Sequence, residues 1–206
     1  DCLIELSPPV FIPRTETEYL CLLIVNFLKK NKYEKFRMLD LCTGTGCISI
    51  SILKHFPKAS GVAVDIDNKA ILLAKKNVNN NGLDSRLSII KSNLYEKLLT
   101  DKKFDLIVSN PPYIPNTVKL DLSVSNWEDE KALFSGKDGL DCIRRIIFQM
   151  PDYISDSGVA ILECDSSNVS LSKDLLGKVF GKNNVEIIND QYNIPRFAIM
   201  SRVGFF

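Results

Sequence analysis

The residues best suited to chemistry stand in Asn110-Pro111-Pro112-Tyr113, which closes the apolar run Phe104-Asp105-Leu106-Ile107-Val108. Proline has no N–H and a fixed φ, so it cannot extend a central strand. The residue before proline is also pushed out of the helical region. The tetrapeptide therefore reads as a rigid turn at the C-terminal end of a strand. It sets one acceptor oxygen, on the Asn110 side chain, beside one aromatic face, that of Tyr113. A planar –NH2 group fits between such a pair.

A second constellation opens with Asp40-Leu41-Cys42-Thr43-Gly44-Thr45-Gly46. Glycines after an apolar strand let a ligand approach the backbone and leave the N–H groups of the next helix free. The spacing is not that of a P-loop. The complete dinucleotide fingerprint is absent too, because Ser49 stands where its last glycine would fall. About 20 residues on, Val64-Asp65-Ile66-Asp67 ends another apolar run, and a carboxylate there can hold a ribose diol. Helix capping is the competing reading for Asp65 and Asp67. Asp40 adds a further carboxylate at the glycine turn. Carboxylates repel a pyrophosphate and welcome a cation, so a ligand with a ribose, an ammonium and a sulfonium fits best. S-adenosylmethionine is such a ligand. Ser92-Asn93-Leu94-Tyr95 would border its adenine, with Asn93 bonding the exocyclic amine and Leu94 packing on the ring.

These groups must be held by alternating strands and helices. Apolar runs predict strands over 36–41, 61–65, 87–91, 104–109 and 158–163, then a closing antiparallel pair over 185–188 and 197–201. Helical patterns fall at 47–55, 68–80, 139–150 and 169–180. An earlier amphipathic helix spans 15–28, where Thr15 and Glu18 have capping-box spacing. Leu3 to Leu6 and Val10 to Ile12 flank Ser7-Pro8-Pro9 like a small hairpin. Strands alternating with helices of this length predict an α/β fold with a parallel-rich sheet covered on both faces. The long polar connection 116–137 carries the only tryptophan, Trp127, and connections of that length tend to be functional. Trp127 and Glu128 fit either the entrance to a peptide site or ordinary packing under a loop.

Bulk properties narrow the field. The 206 residues, 45% of them hydrophobic, suffice for one large domain with a sizeable core. With 26 Lys and Arg against 25 Asp and Glu, the formal charge of +1 gives no electrostatic case for nucleic acid or an anionic membrane. No apolar run approaches the ~20 residues of a membrane span. The chain opens at Asp1, without Met, and reads as a processed or shortened piece. None of the six cysteines forms a C-x-x-C pair, which argues against zinc and for reduced thiols inside a cell. The only histidine, His55, ends a predicted helix with no nucleophile motif beside it, so it reads as a surface residue.

Five stretches together resemble the HemK/PrmC family of protein-glutamine N5-methyltransferases. They are Ile12 to Glu18 with its Pro13-Arg14 pair, Leu39 to Gly46, Val64-Asp65-Ile66, Ser109 to Pro115, and Ala132-Leu133-Phe134 with Gly136 to Leu140. The likeness spans nearly the whole chain in matching order. It departs at Thr15, where the family usually has proline, at Asn93, usually acidic, and at Trp127 to Glu130, commonly Glu-Pro-Arg. The family's helical N-terminal domain, which helps hold its substrate, has no counterpart here.

The resemblance implies a class I S-adenosylmethionine-dependent methyltransferase. Its Rossmann-like sheet would be seven-stranded and mostly parallel with an antiparallel last strand. Residues 1–30 would lead into a catalytic domain at 31–206. It implies methylation of the glutamine of the Gly-Gly-Gln motif of a peptide-chain release factor. Asp40, Thr43, Gly44, Thr45, Gly46, Asp65, Asn93, Leu94 and Asn110 would hold the cofactor. Asn110, Pro111, Pro112 and Tyr113 would hold the glutamine, with Arg14 and Thr15 contacting cofactor or substrate unless they serve only to start a helix. Neither nucleic acid nor membrane is expected as a partner. The loop cysteines and the Pro195-Arg196-Phe197 ending lean toward mitochondrial members over bacterial ones. Two other functions compete: methylation of adenine N6 on a flipped base, and a non-catalytic partner that binds S-adenosylmethionine.

Overall fold

The computed structural model describes residues 2–119, 129–202 and 204. Helix α1 (Thr15–Lys30) leads into β1 (Arg37–Leu41), α2 (Cys47–His55), β2 (Ser60–Asp65), α3 (Asn68–Asn80), β3 (Leu87–Lys91) and β4 (Phe104–Ser109). Then come α4 (Asp141–Gln149), β5 (Ile154–Glu163), α5 (Val169–Phe180), β6 (Val185–Asn189) and β7 (Pro195–Ser201). The seven strands form one sheet in the order β3-β2-β1-β4-β5-β7-β6. Pairing is parallel from β3 through β5, and β7 runs antiparallel to both β5 and β6. This is the mostly parallel sheet with an antiparallel last strand that the sequence predicts.

Central strands read as near-continuous apolar runs because both faces are covered. On one face Leu20, Ile24 and Phe27 of α1 and Ile50 and Leu53 of α2 pack with Met38, Val108 and Ile161. On the other, Ile143, Ile146 and Ile147 of α4 and Leu176 of α5 pack with Leu39, Ile107 and Leu162. Successive residues of one strand thus enter opposite layers. Register brings the C-terminal ends of β1, β2, β4 and β5 together: Leu41 is level with Val64 and Ser109, and Ser109 with Leu162. Ser109 Oγ donates to the Leu41 carbonyl at 2.7 Å and clamps two of those ends. Strand order reverses between β1 and β4, where open α/β sheets bind ligands.

Several local expectations change. Arg14, not Thr15, is the N-cap of α1, with no side-chain cap bond. Thr15 is already helical, and its hydroxyl turns to Glu16 Oε2 at 3.2 Å, so the capping box does not form. Residues 2–12 form no hairpin. Asn77 of α3 and Asn81, its C-cap, take up the polar backbone groups of Glu5 and Leu3, donor and acceptor alike, so the segment lies along a helix instead of pairing with itself. Strand β5 begins four residues before Gly158, which sits inside it next to a register shift against β4. A Cβ on Gly158 would stand 2.5 Å from Ile154 Cγ1, so only glycine fits there. Trp127 and Glu128 lie outside the described residues.

Candidate active site

A cavity of about 660 Å³ opens over the C-terminal ends of β1, β2 and β4. One end is walled by Thr43, Gly44 and Thr45, by Asp65 and Ile66, and by Ser92, Asn93 and Leu94. The other is walled by Asn110 to Ile114, by Arg14 and Thr17, and by Leu133 to Gly136. The two constellations read from the sequence therefore share one chamber.

The glycine turn is held from several sides. Thr43 N–H donates to the Val64 carbonyl at 3.0 Å, and Gly44 N–H to Asp65 Oδ2 at 2.9 Å. Gly44 has φ +55°, and a Cβ there would meet nothing within 4 Å, so the cavity continues up to its backbone. Asn77 reaches from α3 to the Thr45 carbonyl at 2.9 Å. Asp65 Oδ1 accepts Asp67 N–H at 2.9 Å, and the Ile66 backbone adds a third donor, which leaves the carboxylate acceptor capacity to spare. Burial pushes the Asp65 carboxyl above its ordinary range. Asp67 is the N-cap of α3, accepting from Lys69 and Ala70, and it also reaches the cavity wall.

Asp40 and Gly46 lie behind this wall, not on it. Asp40 is fully buried and accepts the Thr43 hydroxyl at 2.7 Å and Ser49 N–H at 3.3 Å. It braces the turn against the first turn of α2, and burial raises its pKa to about 6. Gly46 has φ +82°, and its Cβ would meet Ile50 at 3.3 Å, so its part is to turn the chain into α2. Asn93 is on the wall, but its amide already donates to Glu96 and accepts from Arg145. Leu94 is buried beside it with φ +54°.

At the other end, Pro111 is buried and Tyr113 half-buried. The Tyr113 carbonyl accepts from Asn168 at 3.0 Å, and Gly139 packs so closely that a Cβ would stand 2.2 Å from that oxygen. Burial pushes the Tyr113 phenol well above its ordinary pKa, which keeps it neutral. Ile114 N–H donates to the Leu133 carbonyl, and Ser135 N–H to the Ile114 carbonyl, both at 2.9 Å. That short parallel bridge folds 133–135 over the Asn-Pro-Pro-Tyr turn. Arg14 lines the cavity with its guanidinium 5.0 Å above the Phe11 ring. Thr15 is exposed and off the wall. Two residues on, Thr17 points in instead, because that step carries a side chain to the far side of a helix.

Sequence reading missed the support of Asn110. Its amide nitrogen donates to Thr17 Oγ1 at 3.1 Å, and Thr17 Oγ1 donates to Glu163 Oε2 at 2.9 Å. Glu163 ends β5 as Asp65 ends β2. An acidic residue closing an apolar run was the available signal, noticed at β1 and β2 but not at β5.

Residues 12–126 match the family model of the methyltransferase small domain. A release factor glutamine methyltransferase of Rhodopirellula baltica is 33% identical over 203 residues, covering 97% of this chain and 69% of that protein. A ribosomal protein uL3 glutamine methyltransferase of Francisella tularensis is 41% identical over 138 residues, 65% of this chain and 43% of that one. Among solved structures, a release-factor-specific protein-(glutamine-N5) methyltransferase of Alicyclobacillus acidocaldarius superposes with a TM-score of 0.57 at 25% identity, covering 96% of this chain and 98% of that one. These relatives are bacterial and leave the mitochondrial leaning without support. No helix among the described residues is long and apolar enough to cross a membrane. Taken with a shared chamber joining the glycine turn to Asn110-Pro111-Pro112-Tyr113, these matches establish that the chain is an enzyme of the protein-glutamine N5-methyltransferase family.

Proposed function

We propose that the chain transfers a methyl group from S-adenosylmethionine to the side-chain amide nitrogen of the glutamine in the Gly-Gly-Gln motif of a peptide-chain release factor. The observation that carries this reading is the meeting of Asp65 and Gly44 with Asn110 and Tyr113 on one cavity. The residues present fit the cofactor. Asp65 keeps acceptor capacity for a ribose hydroxyl, and the space beside Gly44 admits a ligand up to the backbone. Thr43, Thr45 and Leu94 complete that end, and Asp40 and Gly46 stiffen the turn from behind. When bound, S-adenosylmethionine supplies an electrophilic methyl group on a sulfonium.

The protein's task is alignment. An amide nitrogen is a weak nucleophile because its lone pair is delocalised into the carbonyl. The Asn110 side-chain oxygen and the Pro111 carbonyl would accept its two N–H bonds and hold it in line. Alignment of reacting groups is worth up to roughly 7–11 kcal/mol in well-oriented systems. Tyr113, neutral and half-buried, would cover the planar amide and exclude water. Residues 31–206 act as the catalytic unit in this reading, and the preceding stretch supplies Arg14 and Thr17 to the wall.

The test offers the chain methyl-labelled S-adenosylmethionine with three substrates: a Gly-Gly-Gln release-factor domain, ribosomal protein uL3, and an RNA and DNA panel. Label mapped by mass spectrometry to the release-factor glutamine supports the proposal. Label in uL3 alone would keep the amide chemistry and overturn the partner. Label only in adenine, or none, would overturn the substrate class.

A further inference from the structure

One buried carboxyl group beside the chamber has no part in the chemistry above. Glu163 is 1% exposed at the C-terminal end of β5. Parallel register puts Ser109 level with Leu162, so Asn110 and Glu163 follow side by side. Thr17, 2% exposed on α1, bridges them, and Glu163 also takes a side-chain hydrogen bond from Asn110 itself.

We propose that Thr17 and Glu163 are positioning residues that fix which way the Asn110 amide faces. A threonine hydroxyl has one proton to donate. Glu163 Oε2 takes that proton at 2.9 Å, so Thr17 Oγ1 can only accept toward Asn110. It accepts from the amide nitrogen at 3.1 Å, which turns the nitrogen inward and leaves the oxygen as the group for the substrate. An ionised carboxylate is acceptor-only and makes the chain of bonds one-directional. A protonated Glu163 can donate to Thr17 or to Asn110 itself, so neither partner of the amide is held to accept and the amide can invert.

The charges around Glu163 do not fix it in one state. Arg196 on β7 favours ionisation, Glu16 on α1 opposes it, and burial opposes it most, raising the pKa to about 7. Tyr113 and the buried thiols of Cys21, Cys47 and Cys164 are all pushed upward and stay neutral near that pH. Of the groups bonded to Thr17 and Asn110, Glu163 is the one whose charge changes around neutrality; Asp40, raised to about 6 on the neighbouring strand, is the other buried carboxyl in range, and the Glu163→Gln profile separates the two.

The inference rests on the glutamine reading, and the wild-type chain separates the two. If it methylates no release-factor domain, that reading has failed; if it does, the variants judge Thr17 and Glu163. Thr17→Val should lower kcat by about tenfold or more, with S-adenosylhomocysteine Kd held within about threefold. Thr17→Ser, which keeps the hydroxyl, should retain most of the turnover. Wild-type kcat should fall as pH drops through about 7, and Glu163→Gln should lose that limb. Glu163→Gln should also turn over more slowly yet melt no lower at about pH 8, because it removes a buried charge. Full turnover in Thr17→Val would overturn the proposal. So would a fall in kcat that tracks loss of cofactor affinity and of Tm, or a pH limb unchanged in Glu163→Gln. If Thr17→Val does not fold, the Glu163→Gln pH profile decides alone.

Discussion

The backbone amide of Gly44 donates to Asp65 Oδ2 at 2.9 Å, tying the turn after β1 to the end of β2 across 21 residues of sequence. The bond orients the carboxylate and the glycine turn as one unit. Asp65→Ala should therefore lose both the ribose acceptor and a brace of the turn. Hydrogen bonds to a charged group are worth about 1.5–3 kcal/mol, so S-adenosylhomocysteine Kd should rise roughly tenfold to a hundredfold. Calorimetry reads this directly, and an unchanged Kd would remove Asp65 from the cofactor end.

Asn110→Ala should act on the other end. It deletes the acceptor for the substrate –NH2 but no part of the glycine turn. Methyl transfer should fall below detection while cofactor affinity drops by less than about tenfold. Isotope transfer and calorimetry on the same preparation test the split. Near-normal turnover would sink the assignment of Asn110.

Much of this arrangement could be read in the chain because periodicity and turn chemistry are local. The strand over 104–109 and the helices over 47–55 and 68–80 fall where apolar spacing and caps predict. Asn110, Asp65 and Gly44 were legible because prolines, glycines and an acid at a strand end are visible without a partner. Thr17, Asn77, Asn168 and Glu163 were not, since their roles exist only through residues far away in sequence. Thr15 is legible because a helix start can be read locally, whereas the face of α1 that meets the chamber, and with it Thr17, cannot. Asp40 looked like a ligand by type, and only the burial of β1 shows it to be a brace.

Gly139 and Gly44 should both lose stability on substitution by alanine, but to different degrees and for different reasons. Gly139, with φ +78°, leaves no room for a Cβ, which would stand 2.2 Å from the Tyr113 carbonyl oxygen. Backbone cannot yield there as a side chain could, so Gly139→Ala should cost about 2 kcal/mol or more of stability. Gly44, with φ +55°, faces open space. Gly44→Ala should cost only about 1–2 kcal/mol for its left-handed backbone and weaken S-adenosylhomocysteine binding. Urea unfolding of both variants beside calorimetry of the second separates the effects, and equal stability losses would contradict the difference in space.

Cys42 Sγ and Cys142 Sγ lie 4.0 Å apart on the cavity wall. The two thiols share a hydrogen bond in which either sulfur can donate; that bond and burial raise the pKa of Cys42, and the same bond lowers that of Cys142. Thiolate is the reactive form, so N-ethylmaleimide should label Cys142 before Cys42. S-adenosylhomocysteine should slow labelling at Cys142 but leave Cys2, which is off the cavity, unaffected. Peptide mapping over a time course checks this. Equal protection of Cys2 would mean the ligand acts on the whole fold and not on this wall.

Asp40 supplies a pH test of the brace behind the glycine turn. Burial is the main cause of its raised pKa of about 6, while its bonds to Thr43 and Ser49 pull the other way. In the unfolded chain an aspartate titrates near about 3.9. A carboxyl whose folded pKa is raised contributes stability fully present below about pH 4 and lost as pH rises through about 6. Asp40→Asn is neutral throughout and keeps an acceptor for Thr43 and Ser49. Its stability relative to wild type should therefore climb between about pH 4 and pH 7, by on the order of 3 kcal/mol for a rise of about two pKa units at about 1.4 kcal/mol each. Every other carboxylate is common to both chains and cancels in the difference. Urea midpoints at several pH values measure it, and a wild-type-minus-variant difference that stays flat would show that Asp40 is not the strained carboxyl its burial makes it.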